Sequence, residues 1–87
     1  MLNQIVLVGR IVSIDPLQNK IIIKVSEADK SFLCVDILIS DAILENLTIT
    51  SEVDSLIGIK GKLVGSPIKV LAEKITLLSK EEKREKE

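Results

Sequence analysis

A chain of 87 residues lies near the lower limit at which one hydrophobic core holds without a disulfide, a metal or a partner subunit. It is therefore read as a single small domain in which self-association is an expected aid to stability. A composition of 46% apolar and 29% charged residues excludes disorder for the body, and no apolar run approaches the length of a membrane span. The net charge of −1 lacks the basic excess that releases counterions from phosphates, so any contact with nucleic acid has to come from local patterning.

Residues 1–16 read MLNQIVLVGRIVSIDP, where Ile5 to Val8 and Ile11 to Ile14 are apolar runs rich in β-branched residues and Gly9 stands between them. The pattern predicts one long strand with a bend, because a residue without Cβ lets a ladder bulge or curl. Long coiled first strands belong to small closed barrels. Val6, Val8 and Val12 on one face and Ile5, Leu7 and Ile11 on the other leave this strand apolar on both sides, as expected where a second protomer covers the outside. A short connection, Leu17 to Asn19, leads to a second strand, Lys20 to Ser26, with Ile21, Ile23 and Val25 inward and Ile22, Lys24 and Ser26 outward. Glu27 to Lys30 is a hairpin loop. In the third strand, Ser31 to Ile39, an unbroken apolar face of Leu33, Val35, Ile37 and Ile39 alternates with Phe32, Cys34, Asp36 and Leu38. The only aromatic residue thus points away from the core.

Ser40 is a cap candidate before apolar residues at helical spacing, which predicts a short helix through Leu47 that closes one end of the barrel. Thr48 to Asp54 is less regular. Ser55 to Val64 is a fourth strand, with Ile57, Ile59 and Leu63 on one face, Gly58, Lys60 and Lys62 on the other, and Gly61 where the barrel curls. Gly65-Ser66-Pro67 makes a tight turn. The fifth strand, Ile68 to Leu78, places Leu71, Ile75 and Leu77 on one side against Val70, Ala72, Lys74 and Thr76. Five strands with a helix between the third and fourth are the pattern of the OB-fold, an all-β barrel with one short helix.

That domain spans residues 1–79, and Lys80 to Glu87 reads as a solvated charged tail. The tail has four basic and four acidic residues; without them the chain's 12 basic and 13 acidic residues become 8 and 9, so no basic body is masked. With no histidine, the single Cys34 and no clustered carboxylates outside the tail, neither zinc-site spacing nor a nucleophile-base pair is present. No enzymatic activity, metal or cofactor is expected. Asn46-Leu47-Thr48 has the form of a glycosylation sequon, but Met1 leads directly into a strand carrying Arg10 rather than into a secretory leader. The expected location is the cytoplasm, with no membrane contact.

Met1-Leu2-Asn3, Val8-Gly9-Arg10 and Asp15-Pro16, in that order around an apolar run, resemble the opening of bacterial single-stranded DNA-binding proteins. The resemblance continues through Ser31-Phe32-Leu33-Cys34-Val35, Gly58-Ile59-Lys60-Gly61-Lys62-Leu63 and Val70 to Leu78, and so covers residues 1–79 in order. It implies an OB barrel that associates through its first strand as a homo-dimer or homo-tetramer and binds single-stranded DNA, or RNA, in replication, recombination or repair. A replication protein is a further implied partner. The primosomal replication protein N, similar in size and also without an acidic tip, is a close variant. The chain departs from the family in three ways. Phe32 is the one plausible stacking platform, with Leu38 where a second aromatic is often found; the hairpins that embrace DNA are cut to a few residues; and the acidic tip that recruits partners has no counterpart.

Under this resemblance Phe32 is the candidate for stacking on a base, and Arg10, Lys24, Lys60 and Lys62 are the candidates for phosphate contacts. Val6, Val8 and Val12 are the candidate oligomer interface. Each has a second reading. An outward aromatic also fills contacts between protomers, and spaced lysines on outer strand faces also keep a sheet soluble. Asp36, on the face of Phe32, repels phosphate unless a lysine neutralises it. The other class of function open to such a chain is an OB-shaped interaction or assembly module that has lost nucleic-acid binding.

Overall fold

The computed structural model describes residues 3–26, 29 and 31–79. Strands β1 (Gln4–Asp15), β2 (Lys20–Ser26), β3 (Phe32–Leu38), β4 (Leu56–Val64) and β5 (Lys69–Ser79) close into a barrel in the order β1-β2-β3-β5-β4, with helix α1 (Asp41–Thr50) between β3 and β4. This is the five-stranded OB architecture expected from the alternation. The tail Lys80 to Glu87 lies outside the described residues. Among the described residues no helix is long and apolar enough to cross a membrane.

β1 closes the barrel by serving two neighbours. It pairs antiparallel with β4 from Gln4 to Arg10 and with β2 from Arg10 to Asp15. Such a strand has to coil, and two devices let it. A Cβ at Gly9 would stand 2.6 Å from the Lys24 carbonyl oxygen, so the close approach of β2 requires glycine there. The bulge itself falls at Val12: Ile11 pairs with Ile23 and Ser13 with Ile22, leaving Val12 unpaired. The inward series of Leu7, Gly9 and Ile11 therefore passes to Ile14, which pairs with inward Ile21.

A second bulge corrects the reading of β5. Lys60 pairs with Lys74 and Gly61 with Ala72, so Glu73 is the extra residue and the alternation inverts across it. Val70 and Ala72 are buried, while Ile75 and Leu77, not Leu71, complete the inner face beyond the bulge. Strict period-two counting from Ile68 to Leu78 had put Leu71 with Ile75 and Leu77. Gly61 is fully enclosed opposite this irregularity, and a Cβ on it would collide with the Leu71 carbonyl.

The core is aliphatic throughout. Ile11, Ile21, Ile23, Ile37, Ile39, Leu47, Ile57, Ile59, Val70 and Ala72 are buried, each isoleucine contributing roughly 1.5–3 kcal/mol relative to an exposed side chain. Leu33 does not join them. It keeps inward parity but is 53% exposed, because β3 meets β5 only at Ile37 and Leu38 and the barrel is open at the Leu33 end.

α1 covers the other end through Leu47, with Ile43 and Leu44 packed against the core. Ser40 caps it as the sequence predicts, its Oγ accepting from the Ile43 N–H at 3.2 Å. The helix runs three residues past Leu47, and Ser51 N–H then bonds the Leu47 carbonyl at 2.8 Å. The return to β4 is fixed on β1: Asp54 N–H donates to Ile11 O at 2.8 Å and Ile11 N–H to Ser55 O at 3.0 Å. Buried Ser55 accepts the Glu52 N–H on its Oγ at 3.0 Å, so the turn leaves neither group unsatisfied.

These glycine contacts make opposite expectations for two neighbours in β4. Gly61→Ala is expected to lower stability by about 1–3 kcal/mol in urea unfolding, because backbone rather than a flexible side chain must yield. At Gly58 a new Cβ meets only the Leu78 side chain, at 3.6 Å, and Gly58→Ala is expected to leave stability within about 0.5 kcal/mol or to raise it. Equal urea midpoints for the two variants would show that the Leu71 carbonyl does not constrain the strand.

Candidate nucleic-acid interface

Alternation along β2 and β3 turns Lys24, Ser26, Phe32, Cys34 and Asp36 to the outer surface, and the register fixes their neighbours. Arg10 pairs with Lys24, Lys24 with Cys34, and Ser26 with Phe32. The Phe32 ring is 60% exposed, and the Lys24 ammonium lies over it at 4.8 Å from the centroid. A cation held on the ring face restricts both side chains and places a positive charge next to an apolar plate. Arg10, one strand away, donates to the Asp54 carbonyl at 2.8 Å, so it is positioned by the turn before β4 rather than swinging freely.

The structure thus brings three of the five sequence-derived candidates together. Lys60 and Lys62 stand apart from them, on β4, which flanks β1 on the side away from β2 and β3. Lys60 is opposite Val6 and Lys62 is opposite Gln4. Lys62 is also 3.9 Å from Glu73, an exposed pair of little energetic weight.

Val6 and Val8 project outward on this second flank, and Val6 is 73% exposed. Val12 is exposed too, but it is the bulge residue on the half of β1 that pairs with β2, separated from the other two by Arg10. The apolar patch is therefore Val6 and Val8, with Val12 outside it.

Asp36, which counted against phosphate binding on the Phe32 face, is paired. Lys20 Nζ is 3.1 Å from its carboxylate, across β2 and β3. The Asp29 carboxyl, in the β2–β3 loop, is held below its ordinary pKa by hydrogen bonds from the Ser31 hydroxyl and backbone N–H, and so remains ionised at neutral pH.

A groove of about 610 Å³ runs between the β1–β2 turn and the β4–β5 turn, lined by Gln18, Lys20, Leu33, Asp36, Ile68 and Lys69 among others. Its position follows from local chemistry. Asp15 Oδ1 accepts the N–H groups of Leu17 and Gln18 at 3.1 and 3.3 Å, folding the first turn, and Asn19 and Gly65 take positive φ in the two turns. In OB-folds oligonucleotides are held on the β2–β3 face between these two turns. Lys20, Lys69, Leu33 and Ile68 are candidate residues that sequence reasoning passed over. Ile68, 70% exposed directly after the Gly65-Ser66-Pro67 turn, was the available signal.

No protein-family model and no curated protein matches the chain. Solved structures do. The mitochondrial single-stranded DNA-binding protein Rim1 of S. cerevisiae superposes with a TM-score of 0.77 at 17% identity, covering 91% of this chain and 97% of that one. The N-terminal domain of PriB from Thermoanaerobacter tencongensis, a dimeric structure, gives 0.66 at 22% identity over 87% and 96%. The small single-stranded DNA-binding protein of Streptomyces coelicolor gives 0.62 at 14% identity over 88% and 94%. At these identities the likeness establishes the fold. The chain has the OB architecture of single-stranded DNA-binding proteins and PriB, in agreement with the resemblance carried by its motif order.

Proposed function

We propose that this chain binds single-stranded DNA weakly and with tolerance of sequence, in replication, recombination or repair, as a cytoplasmic homo-oligomer. The observation that carries the reading is the exposed Phe32 ring with the Lys24 ammonium over it and Arg10 beside Lys24, on the outer face of an OB barrel. Phe32 stacks on a base, Arg10 and Lys24 contact phosphates next to it, and Lys60 and Lys62 add contacts on the other flank. Every base has a π-face, so one ring gives affinity without a sequence preference. Val6 and Val8 form the seam with a second copy, and Val12 marks its margin.

A second reading, an assembly module that does not bind nucleic acid, is favoured by one feature. Between α1 and β5 lies a largely apolar groove of about 560 Å³, lined by Ile43, Leu47, Ile75 and Leu77 among others.

Fluorescence anisotropy of labelled oligo-dT separates the two. Binding is expected at low salt, falling as salt rises, and Phe32→Ala is expected to weaken it by about 1–3 kcal/mol with the oligomer intact. No binding at low salt by the folded wild-type chain would discard the single-strand reading in favour of the module. Light scattering tests the seam: Val6→Glu with Val8→Glu is expected to reduce the molar mass to that of one chain while the circular dichroism spectrum is kept. An unchanged mass would move the interface elsewhere.

A further inference from the structure

The bulge at Glu73 does more than repair the core. Lys74 would follow Val70 and Ala72 to the inner face if β5 were regular, and the inversion turns it outward instead, directly opposite Lys60. Two ammonium groups at one cross-strand position repel each other and lower the stability of the sheet. Lys20 has the acidic neighbour Asp36, and Lys62 has Glu73. Among the described residues Lys60 and Lys74 have no such partner.

The next outward row along the same face is Val8, Gly58 and Thr76. Gly9 and Gly61 are glycines because backbone presses on them, but Gly58 has room for a side chain. Its row has the half-exposed Leu78 side chain against it, 3.6 Å from where a Cβ would stand, and the exposed Thr76 as its cross-strand neighbour. No aromatic residue stands on this flank, since Phe32 is the only one in the chain. The chemistry available is the positive charge of Lys60 and Lys74 and the Thr76 hydroxyl, beside the apolar Leu78.

We infer that the outer face of β4 and β5 is a track for the phosphodiester backbone of a single strand, with the opposed Lys60 and Lys74 clasping phosphate and the Thr76 hydroxyl next along β5. The inference rests on the single-strand reading and adds to it a surface that holds phosphates and not bases, on the flank of β1 away from Phe32. Phosphate between the two ammonium groups relieves the repulsion that the bare pair carries. Lys74 is the residue that defines the track, because Lys60 also borders the Val6 seam.

The test compares oligo-dT with an abasic deoxyribose-phosphate strand of equal length, titrated across salt, with molar mass measured for every variant. The wild-type chain is expected to bind both. Lys74→Gln is expected to weaken both and to make the salt slope shallower by about 0.7, the value of one phosphate contact on a single strand. Phe32→Ala is expected to weaken oligo-dT and leave the abasic strand unchanged. An unchanged slope in folded, correctly assembled Lys74→Gln overturns the track, since it would mean diffuse attraction. Binding of oligo-dT without binding of the abasic strand overturns the track and leaves the Phe32 reading standing; binding of neither by the wild-type chain overturns both.

Discussion

Closure of the barrel depends on β1 lying in two ladders, with β4 along Gln4–Arg10 and with β2 along Arg10–Asp15, so that Arg10 is shared by both. A strand that passes from one neighbour to the other at mid-length has to coil, and the coil brings backbones together at Gly9 and inserts an extra residue at Val12. The rest of the surface inherits that coil. Side chains of β1 before Arg10 look out over β4, and those after it look out over β2. The outer surface is thereby divided into two flanks, one with Val6, Val8, Lys60 and Lys74 and the other with Lys24, Phe32 and Asp36. Arg10 marks the boundary.

Charge on this molecule is a matter of placement, since the total is −1. Lys20 with Asp36 and Lys62 with Glu73 cancel locally, and each is an exposed or half-exposed pair worth little as a stabilising contact. Their effect is on the field: they neutralise Asp36 on the Phe32 face and Glu73 beside the Lys60 row. What is left on the strands is Lys24 on its ring, Lys69 at the groove and the opposed Lys60 and Lys74 of β4 and β5. Within a Debye length of roughly 8–10 Å at ordinary ionic strength, a passing phosphate senses these cations more than the acidic groups on remote parts of the chain. A weakly acidic protein can therefore still present basic surfaces.

Most of the fold was legible in the chain because the side-chain period of a strand is 2. Ile21, Ile23 and Ile37 were placed inward correctly by counting alone, and Ser40 announced its helix by the chemistry of a cap. Counting failed where a bulge adds one residue. Glu73 inverts β5, so Leu71 was grouped with Ile75 and Leu77, and Lys74 was grouped with buried Val70 and Ala72. The candidate site was legible in part for another reason. Sequence parity assigns side chains to the outside of a barrel but not to one flank of it, so Phe32, Lys24 and Arg10 were correctly foreseen as outward while Lys60 and Lys62 could not be seen to stand across β1 from them. The groove between the turns depends on how two loops distant in the chain approach each other, which alternation does not encode.

Affinity in such a molecule is limited by its single ring. One stack supplies about 1–3 kcal/mol, less than the 4.1 kcal/mol that corresponds to millimolar binding, so the ring needs support from phosphates or from a second copy. The two flanks make stacking compatible with a second copy. Val6 and Val8 lie on the β4 side, and covering them with another copy leaves the Phe32 ring and Lys24 on the β2–β3 side facing solvent. In the proposed oligomer two rings would engage a strand at an effective concentration of about millimolar, and the second contact would add to the first instead of competing with it. Had Phe32 stood on the flank of Val6, self-association and stacking would have used the same surface. The coil of β1, which the barrel requires in order to close, is what separates them.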